Sequence, residues 1–317
     1  MKRLFVLCVG AGLLLSMCGM CIPSHAQAKE VAVIWDTKSL MVKNLVTGFL
    51  AEIGALAPDL RITVHGKLKN MEEAEKVYRD CESRVDGIVF LRSSGAEFLG
   101  KIKPKVPCFV GACNNPQELG VIRNLDEPEG MITGVTYFIP YSKRFDIIMS
   151  LFPRIKTVAL LVEEGHPSGR IERGAAKQEC DRRGLVYREV VAATLDQLVK
   201  GTRELGKVDL VIVTNTRLVM DNVTNLLPIT NPTKTPVFSF AEKPVKTGAV
   251  AGIAADDEKL GAMLAHSVVD VVIKGKPVSK VPVKMDPAPK LTINEPMMRS
   301  LGLQFPETIM KAGTVIR

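Results

Sequence analysis

The sequence predicts an α/β protein of two Rossmann-like lobes, each built on a parallel sheet. Three observations predict it. Short apolar runs alternate with segments of helical periodicity along the body of the chain. The alternation restarts after Thr133-Gly134-Val135-Thr136. The chain is also too long for one ordinary core. Removing an export leader of 28 from the 317 residues leaves 289, which suits two lobes of roughly 120–150 residues.

The leader comes first. Lys2 and Arg3 form a short basic start, Leu4 to Ile22 is uncharged and apolar, and Ala26-Gln27-Ala28 is a small-x-small cleavage pattern. An uncleaved anchor is the alternative, since the apolar run is nearly long enough to span a bilayer. Cleavage after Ala28 is expected, because the site falls just before the first strand-like segment. Cys18 and Cys21 each follow Met, where a lipoprotein signal needs a small residue.

In the mature chain, Val31 to Trp35 reads as a buried strand and Leu40 to Leu56 as a helix. Leu60 to Val64 alternates as a strand and Met71 to Cys81 is a charged helix. GIVFL at Gly87 to Leu91 is a buried strand, and Ser93-Ser94-Gly95 opens a short helix. Pro107 to Gly111 is another strand. Repeated β-α units of this kind imply a parallel sheet covered on both faces. The second half repeats the pattern. Tyr141 to Leu151 is a helix ended by Pro153, Val158 to Val162 a strand, and Ile171 to Arg183 a helix closed by Gly184. Leu185 to Val191 and Leu210 to Val213 are strands around a helix at Leu195 to Leu205. A short helix at Met220 to Leu227 precedes a strand at Pro236 to Phe240. Ala249 to Ala254 is small and apolar, and a long helix follows Asp256-Asp257 to about Ile273. The tail crosses again through Val281 to Lys284, then ends in Leu291 to Ile293 and a Pro-punctuated helix.

Composition narrows the function. The chain is 46% hydrophobic and 24% charged, which excludes a disordered or collagen-like chain. Losing Lys2 and Arg3 lowers the formal charge from +8 to +6, and no basic stripe interleaves with aromatics, so nucleic acid is not an expected partner. Cys81, Cys108, Cys113 and Cys180 match no disulfide framework and read as buried thiols. His65, His166 and His266 lack metal-ligand spacing, and no metal or cofactor is expected. There is no Gly-x-Ser-x-Gly turn, no Walker loop and no Gly-rich turn after the first strand, so no catalytic residue is assigned.

Ligands of open parallel sheets sit beyond the C-terminal strand ends. Here those ends carry small hydroxyl and amide residues next to helix N-termini, where backbone donors converge. The candidates are Asp36, Thr37, Ser93, Ser94 and Asn114 from the first half and Ser168, Asn215, Thr216 and Glu242 from the second, with Asp256 at a crossing. Taken singly, each is better read as a helix cap. Their recurrence in both halves points to a cleft. Ser93 and Ser94 are the candidates for a carboxylate, and Asp36 or Glu242 for an amino group. A sugar or nucleoside would suit the same atoms.

Three stretches resemble one family. FVGACNNPQELGVIRNLDEPEGMITGVT (Phe109 to Thr136) is similar to a strand, a Gly-Asp-Pro-like turn and a Pro-Gly-Gly-Asn-apolar-Thr-Gly-Val run. Tyr141 to Val162 follows as helix, apolar-Pro-basic turn and strand. Ala255 to Leu303 contains ADDEKLGAMLA, IKGKPVSKVPV and LTINEPMMRSLGL. Together they resemble the ABC-transporter substrate-binding proteins of the periplasmic binding protein type I fold, in the branch that includes tryptophan- and tyrosine-binding proteins. The departures are Asn115 for the turn's Asp, Glu129 and Met131 for the usual Gly and Asn, a first lobe shortened after Trp35, and few aromatics at the loop ends. The resemblance implies three interlobe crossings, and the restart of the pattern after Thr136 with returns near Ala254 and Lys284 puts lobe one at 29–137 and 256–283 and lobe two at 138–255 and 284–317. The resemblance further implies a periplasmic monomer that captures a small polar ligand for an inner-membrane ABC permease, and the strand-end residues suit an amino-acid-like one. A sensory module for a membrane receptor and an exported α/β hydrolase are the alternatives.

Overall fold

Val31, Ala32, Val33 and Ile34 are wholly buried, as are Ile88, Val89, Phe90 and Leu91. A strand buried on both faces needs layers above and below it, and that requirement organises the fold. The computed structural model describes residues 28–36 and 38–317, so the expected leader cleavage and Thr37 lie outside the described residues.

The first half supplies β1 (Glu30–Asp36), α1 (Leu40–Leu56), β2 (Arg61–Leu68), α2 (Met71–Glu82), β3 (Gly87–Leu91), α3 (Arg92–Lys101), β4 (Cys108–Gly111) and β5 (Ile132–Thr136). There follow α4 (Tyr141–Leu151), β6 (Thr157–Glu163), α5 (Pro167–Arg183), β7 (Val186–Ala192), α6 (Leu195–Glu204) and β8 (Leu210–Val213). Next come α7 (Arg217–Met220), α8 (Val223–Thr230), β9 (Val237–Ser239), α9 (Glu242–Lys246) and β10 (Ala251–Ala254). The last part holds α10 (Asp257–Val268), β11 (Lys284–Met285), β12 (Lys290–Asn294), α11 (Glu295–Ser300), α12 (Glu307–Ala312) and β13 (Thr314–Ile316).

Two sheets result, ordered β11-β5-β4-β3-β1-β2 and β13-β12-β10-β9-β8-β6-β7. All pairings are parallel except β10 with β12. Alternate residues of one strand feed opposite cores. Val31, Val33 and Trp35 pack with α1 and α10, whereas Ala32 and Ile34 pack with α2 and α3. In the second sheet Val158, Leu160 and Val162 face one core and Ala159 and Leu161 the other. This is the α/β two-lobe arrangement that the strand–helix alternation predicts.

The chain passes between the sheets three times: after β5, after β10, and between β11 and β12. The last passage differs from expectation. Lys284 and Met285, expected in lobe two, pair with Val135 and Thr136 in the first sheet, so the chain leaves that sheet only after Met285. A two-residue strand carries too little periodicity to be read from sequence. Three further differences are local. Helix α5 starts at Pro167 rather than Ile171, because His166 caps it by accepting the Ser168 N–H. The helix expected at Met220 to Leu227 is two helices, broken at Asp221 and Asn222. Strand β2 runs on to Leu68.

Returning after β10, α10 lies against α1 in the first lobe. Glycines permit the approach. A Cβ at Gly261 would sit 2.0 Å from the Leu45 carbonyl oxygen, and one at Gly48 would sit 2.0 Å from that of Glu258. Both obstacles are backbone, so neither can swing aside. Gly261→Ala is therefore expected to destabilise the protein by about 2 kcal/mol or more through overpacking. Gly174→Ala, on an exposed face of α5 with nothing near its Cβ, should stabilise by about 0.5–1 kcal/mol. Urea unfolding of the two variants reads the contrast.

Candidate functional site

The C-terminal strand ends of the two sheets meet at a buried polar seam. At the end of β3, Ser93 is buried in the first turn of α3, and its Oγ accepts the Asn114 N–H at 3.1 Å. Across the seam Ser93 Oγ lies 3.3 Å from Ser168 Oγ of α5, which lies 3.2 Å from the Tyr137 hydroxyl at the first crossing. Burial raises the Tyr137 pKa, so the phenol keeps its proton and can donate. His166 is shifted the other way. Burial lowers its pKa, which favours the neutral ring whose Nδ1 accepts the Ser168 N–H.

One turn beyond Ser168, Glu172 is fully buried. Its Oε2 accepts from the Tyr141 hydroxyl at 2.9 Å and its Oε1 from Asn114 Nδ2 at 3.4 Å. Arg144 Nη1 stands 4.0 Å from Oε1. Burial pushes the Glu172 carboxyl up, while Arg144, Tyr141 and Asn114 pull it back down. An apolar contact accompanies these bonds: Ile171, from lobe two, belongs to the core that covers the first sheet on its α2–α3 side.

Of the sequence-predicted residues, the structure brings Ser93, Asn114 and Ser168 into direct contact. Ser94 follows Ser93 on α3, and its buried Oγ has no hydrogen-bond partner. Asn215, at the end of β8, likewise has a buried Oδ1 without a partner. Thr216 is buried and lies 3.1 Å from Thr214 Oγ1. The reading of these residues as helix caps does not hold for α3 or α7, since neither helix has a side-chain cap bond. The other candidates are occupied elsewhere. Asp36 is held by Arg92 at 3.0 Å within the first lobe. Glu242 is exposed and pairs with Lys246 at 2.6 Å, one turn along its own helix. Asp256 caps α10 and pairs with Lys290 at 2.6 Å, so it braces a crossing. Thr37 lies outside the described residues.

Backbone strain marks the same place. Arg92 and Ala112 have φ of 74° and 47°, a region costly for residues with a Cβ. Arg92 immediately precedes Ser93, and Ala112 lies two residues before Asn114. Beside the seam is a depression of about 390 Å³, lined by Glu97 of α3 and by Glu163, His166, Pro167 and Arg170 of lobe two. Sequence reasoning missed Tyr137, Tyr141, Arg144 and Glu172. Glu172 falls four residues after Ser168, and Arg144 three after Tyr141, so helical spacing carried a signal for both.

Residues 33–316 match the family described as ABC transporter substrate binding protein. The chain belongs to that family. Members of this kind are binding proteins, not enzymes, and the two-lobed architecture is their type I fold. A tyrosine-binding protein of Clostridioides difficile (strain R20291) is 23% identical over 200 residues, 63% of this chain and 58% of that protein. The match thus spans little more than half of the relative's length. An ABC domain from Streptococcus pneumonia in complex with L-Trp superposes with a TM-score of 0.79 at 19% identity, covering 91% of this chain and 99% of that one. A glucose-galactose binding protein from Geobacillus stearothermophilus gives 0.62 at 15% identity, covering 84% and 97%.

The second and third crossings are tied together by charge. The Asp256 N–H donates to Asp286 Oδ2 at 2.8 Å, and Lys259 Nζ meets Asp286 Oδ1 at 2.8 Å. Asp257, next along the crossing, has its pKa pushed up to about 7, mainly by burial, with Asp256 and Glu242 adding to it and Asn44 and Lys290 opposing. The folded chain therefore holds this proton more tightly than the unfolded chain. The associated stability is present below about pH 4 and is lost as pH rises to about 7. Asp257→Asn should match the wild-type melting temperature near pH 4 and exceed it at pH 8. Thermal melts across that range check the sign.

Proposed function

We propose that this member of the family is the periplasmic solute-binding component of an ABC importer. It is exported by its leader, captures an amino-acid-like ligand between its lobes and passes it to an inner-membrane permease. The observation that carries the ligand site is the set of buried polar atoms left without partners: Ser94 Oγ, Asn215 Oδ1 and Arg144 Nη1. Buried polar groups are nearly always paired, and each unpaired one costs about 1–3 kcal/mol. Ser94 follows the end of β3 in lobe one, and Asn215 and Arg144 belong to lobe two, past the end of β8 and just past the first crossing. A ligand with acceptor and donor groups would satisfy them.

The relatives that bind tyrosine and L-Trp support an amino acid as the ligand class. So do the aromatic rings at the seam, which sequence reading undercounted. Tyr137, Phe138, Tyr141 and Phe240 converge there from the first crossing and from the end of β9.

A thermal-shift screen of the purified protein against the L-amino acids tests this reading. At a concentration 100 times its Kd, a true ligand stabilises by about 2.7 kcal/mol. Ser94→Ala should weaken that ligand about tenfold, the loss of one buried hydrogen bond. Its ligand-free melting temperature should stay within a few degrees of wild type. Glu242→Ala should leave affinity unchanged. Equal affinity in Ser94→Ala and wild type would move the site elsewhere.

A further inference from the structure

Arg144 lies on the second turn of α4, just past the first crossing, and is 2% exposed. Its Nε donates to the Ile139 carbonyl at 2.9 Å, which fixes one edge of the guanidinium. The rings of Phe240, Tyr141 and Phe138 surround it, at 4.3, 4.7 and 6.0 Å from the ring centres. Aromatic faces stabilise a cation, but they are poor hydrogen-bond acceptors. Nη1 is buried and bonds to nothing.

The nearest carboxylate does not close this gap. Glu172 Oε1 is 4.0 Å from Nη1, beyond hydrogen-bond length. Both Glu172 oxygens already accept bonds, from Tyr141 and from Asn114. The position of Nη1 is also telling. It stands 4.0 Å from an oxygen that itself touches Asn114 of the opposite lobe, which places it at the seam rather than deep in lobe two.

On the solute-binding reading above, we propose that Arg144 Nη1 donates to an anionic oxygen of the ligand and thereby makes the cleft select a carboxylate over its neutral amide. Asn215 Oδ1, an acceptor, is left to receive a donor group of the same ligand, and the Ser94 hydroxyl serves either role. The carboxylate, expected at Ser93 and Ser94, thus falls to an arginine outside the strand-end set, Ser93 being engaged by Asn114 and Ser168. A charge-assisted bond of this kind in a dry site is about twice as strong as a neutral one.

Isothermal titration with L-tyrosine, L-tryptophan and their carboxamides tests the proposal, with other organic acids and neutral solutes as further probes. Wild type should bind the acid at least about tenfold more tightly than the amide. Arg144→Met should flatten that ratio toward unity, and Arg144→Lys should restore part of it. A purely structural role would weaken acid and amide alike and leave the ratio intact, and that result overturns the proposal. Equal binding of acid and amide by wild type also overturns it, and this comparison needs no variant to fold. Arg144-dependent binding of a carboxylate that is not an amino acid would sink the amino-acid reading and support this one. Tight binding of a neutral solute alone would sink both.

Discussion

A carboxylate with no contact to water, Glu172, ties the two lobes to the first crossing. It accepts from Asn114 of lobe one and from Tyr141 at the crossing, and it is itself part of α5 in lobe two. A buried carboxyl without partners would cost several kcal/mol, so wherever Glu172 is buried these partners must be in place. Its position sets those of its neighbours. Ser168 lies one turn earlier on the same helix and reaches Ser93 and Tyr137, and Ile171 enters the core of the first sheet. Separating the lobes means exposing this group and breaking the hydroxyl chain in one movement.

Away from the seam the molecule is built to different tolerances. Helices α1 and α10 approach through Gly48 and Gly261 with no space for a methyl group, so the first lobe is rigid where the second crossing docks. The second and third crossings are held by Lys290 with Asp256, a half-exposed pair that contributes little by itself, and by Lys259 with Asp286, whose buried carboxylate would be costly to leave unpaired. In the function proposed above, the polar seam opens between lobes that keep their shape. Among the described residues the thiols of Cys81, Cys108, Cys113 and Cys180 are free and buried.

Local signals carried the fold. Val31 to Trp35, Leu40 to Leu56, GIVFL and Tyr141 to Leu151 are readable because hydrophobic period and caps act within a few residues. The same signals located Ser93, Ser94, Asn114, Ser168, Asn215 and Thr216, since a strand followed by a helix places small polar residues at the sheet's C-terminal edge. They placed Asp36, Glu242 and Asp256 on equal terms, and the structure pairs each of these acids with a cation. Whether an acid at a strand end faces a ligand or a neighbouring cation depends on residues distant in the chain. Arg92 takes Asp36 across 56 positions and Lys290 takes Asp256 across 34, while Glu242 finds Lys246 on its own helix.

What the sequence by itself determined is therefore the alternation of elements, the restart that makes two lobes, and the edge on which polar side chains gather. Only the tertiary structure decided which polar atoms are satisfied. Ser94, Asn215 and Arg144 are ordinary surface types in isolation, and nothing in their neighbours along the chain marks them as unpaired. Their lack of partners emerges only when two sheets and a crossing close around them, because a hydrogen bond, unlike a helix period, is a condition on positions in space and not on spacing in sequence.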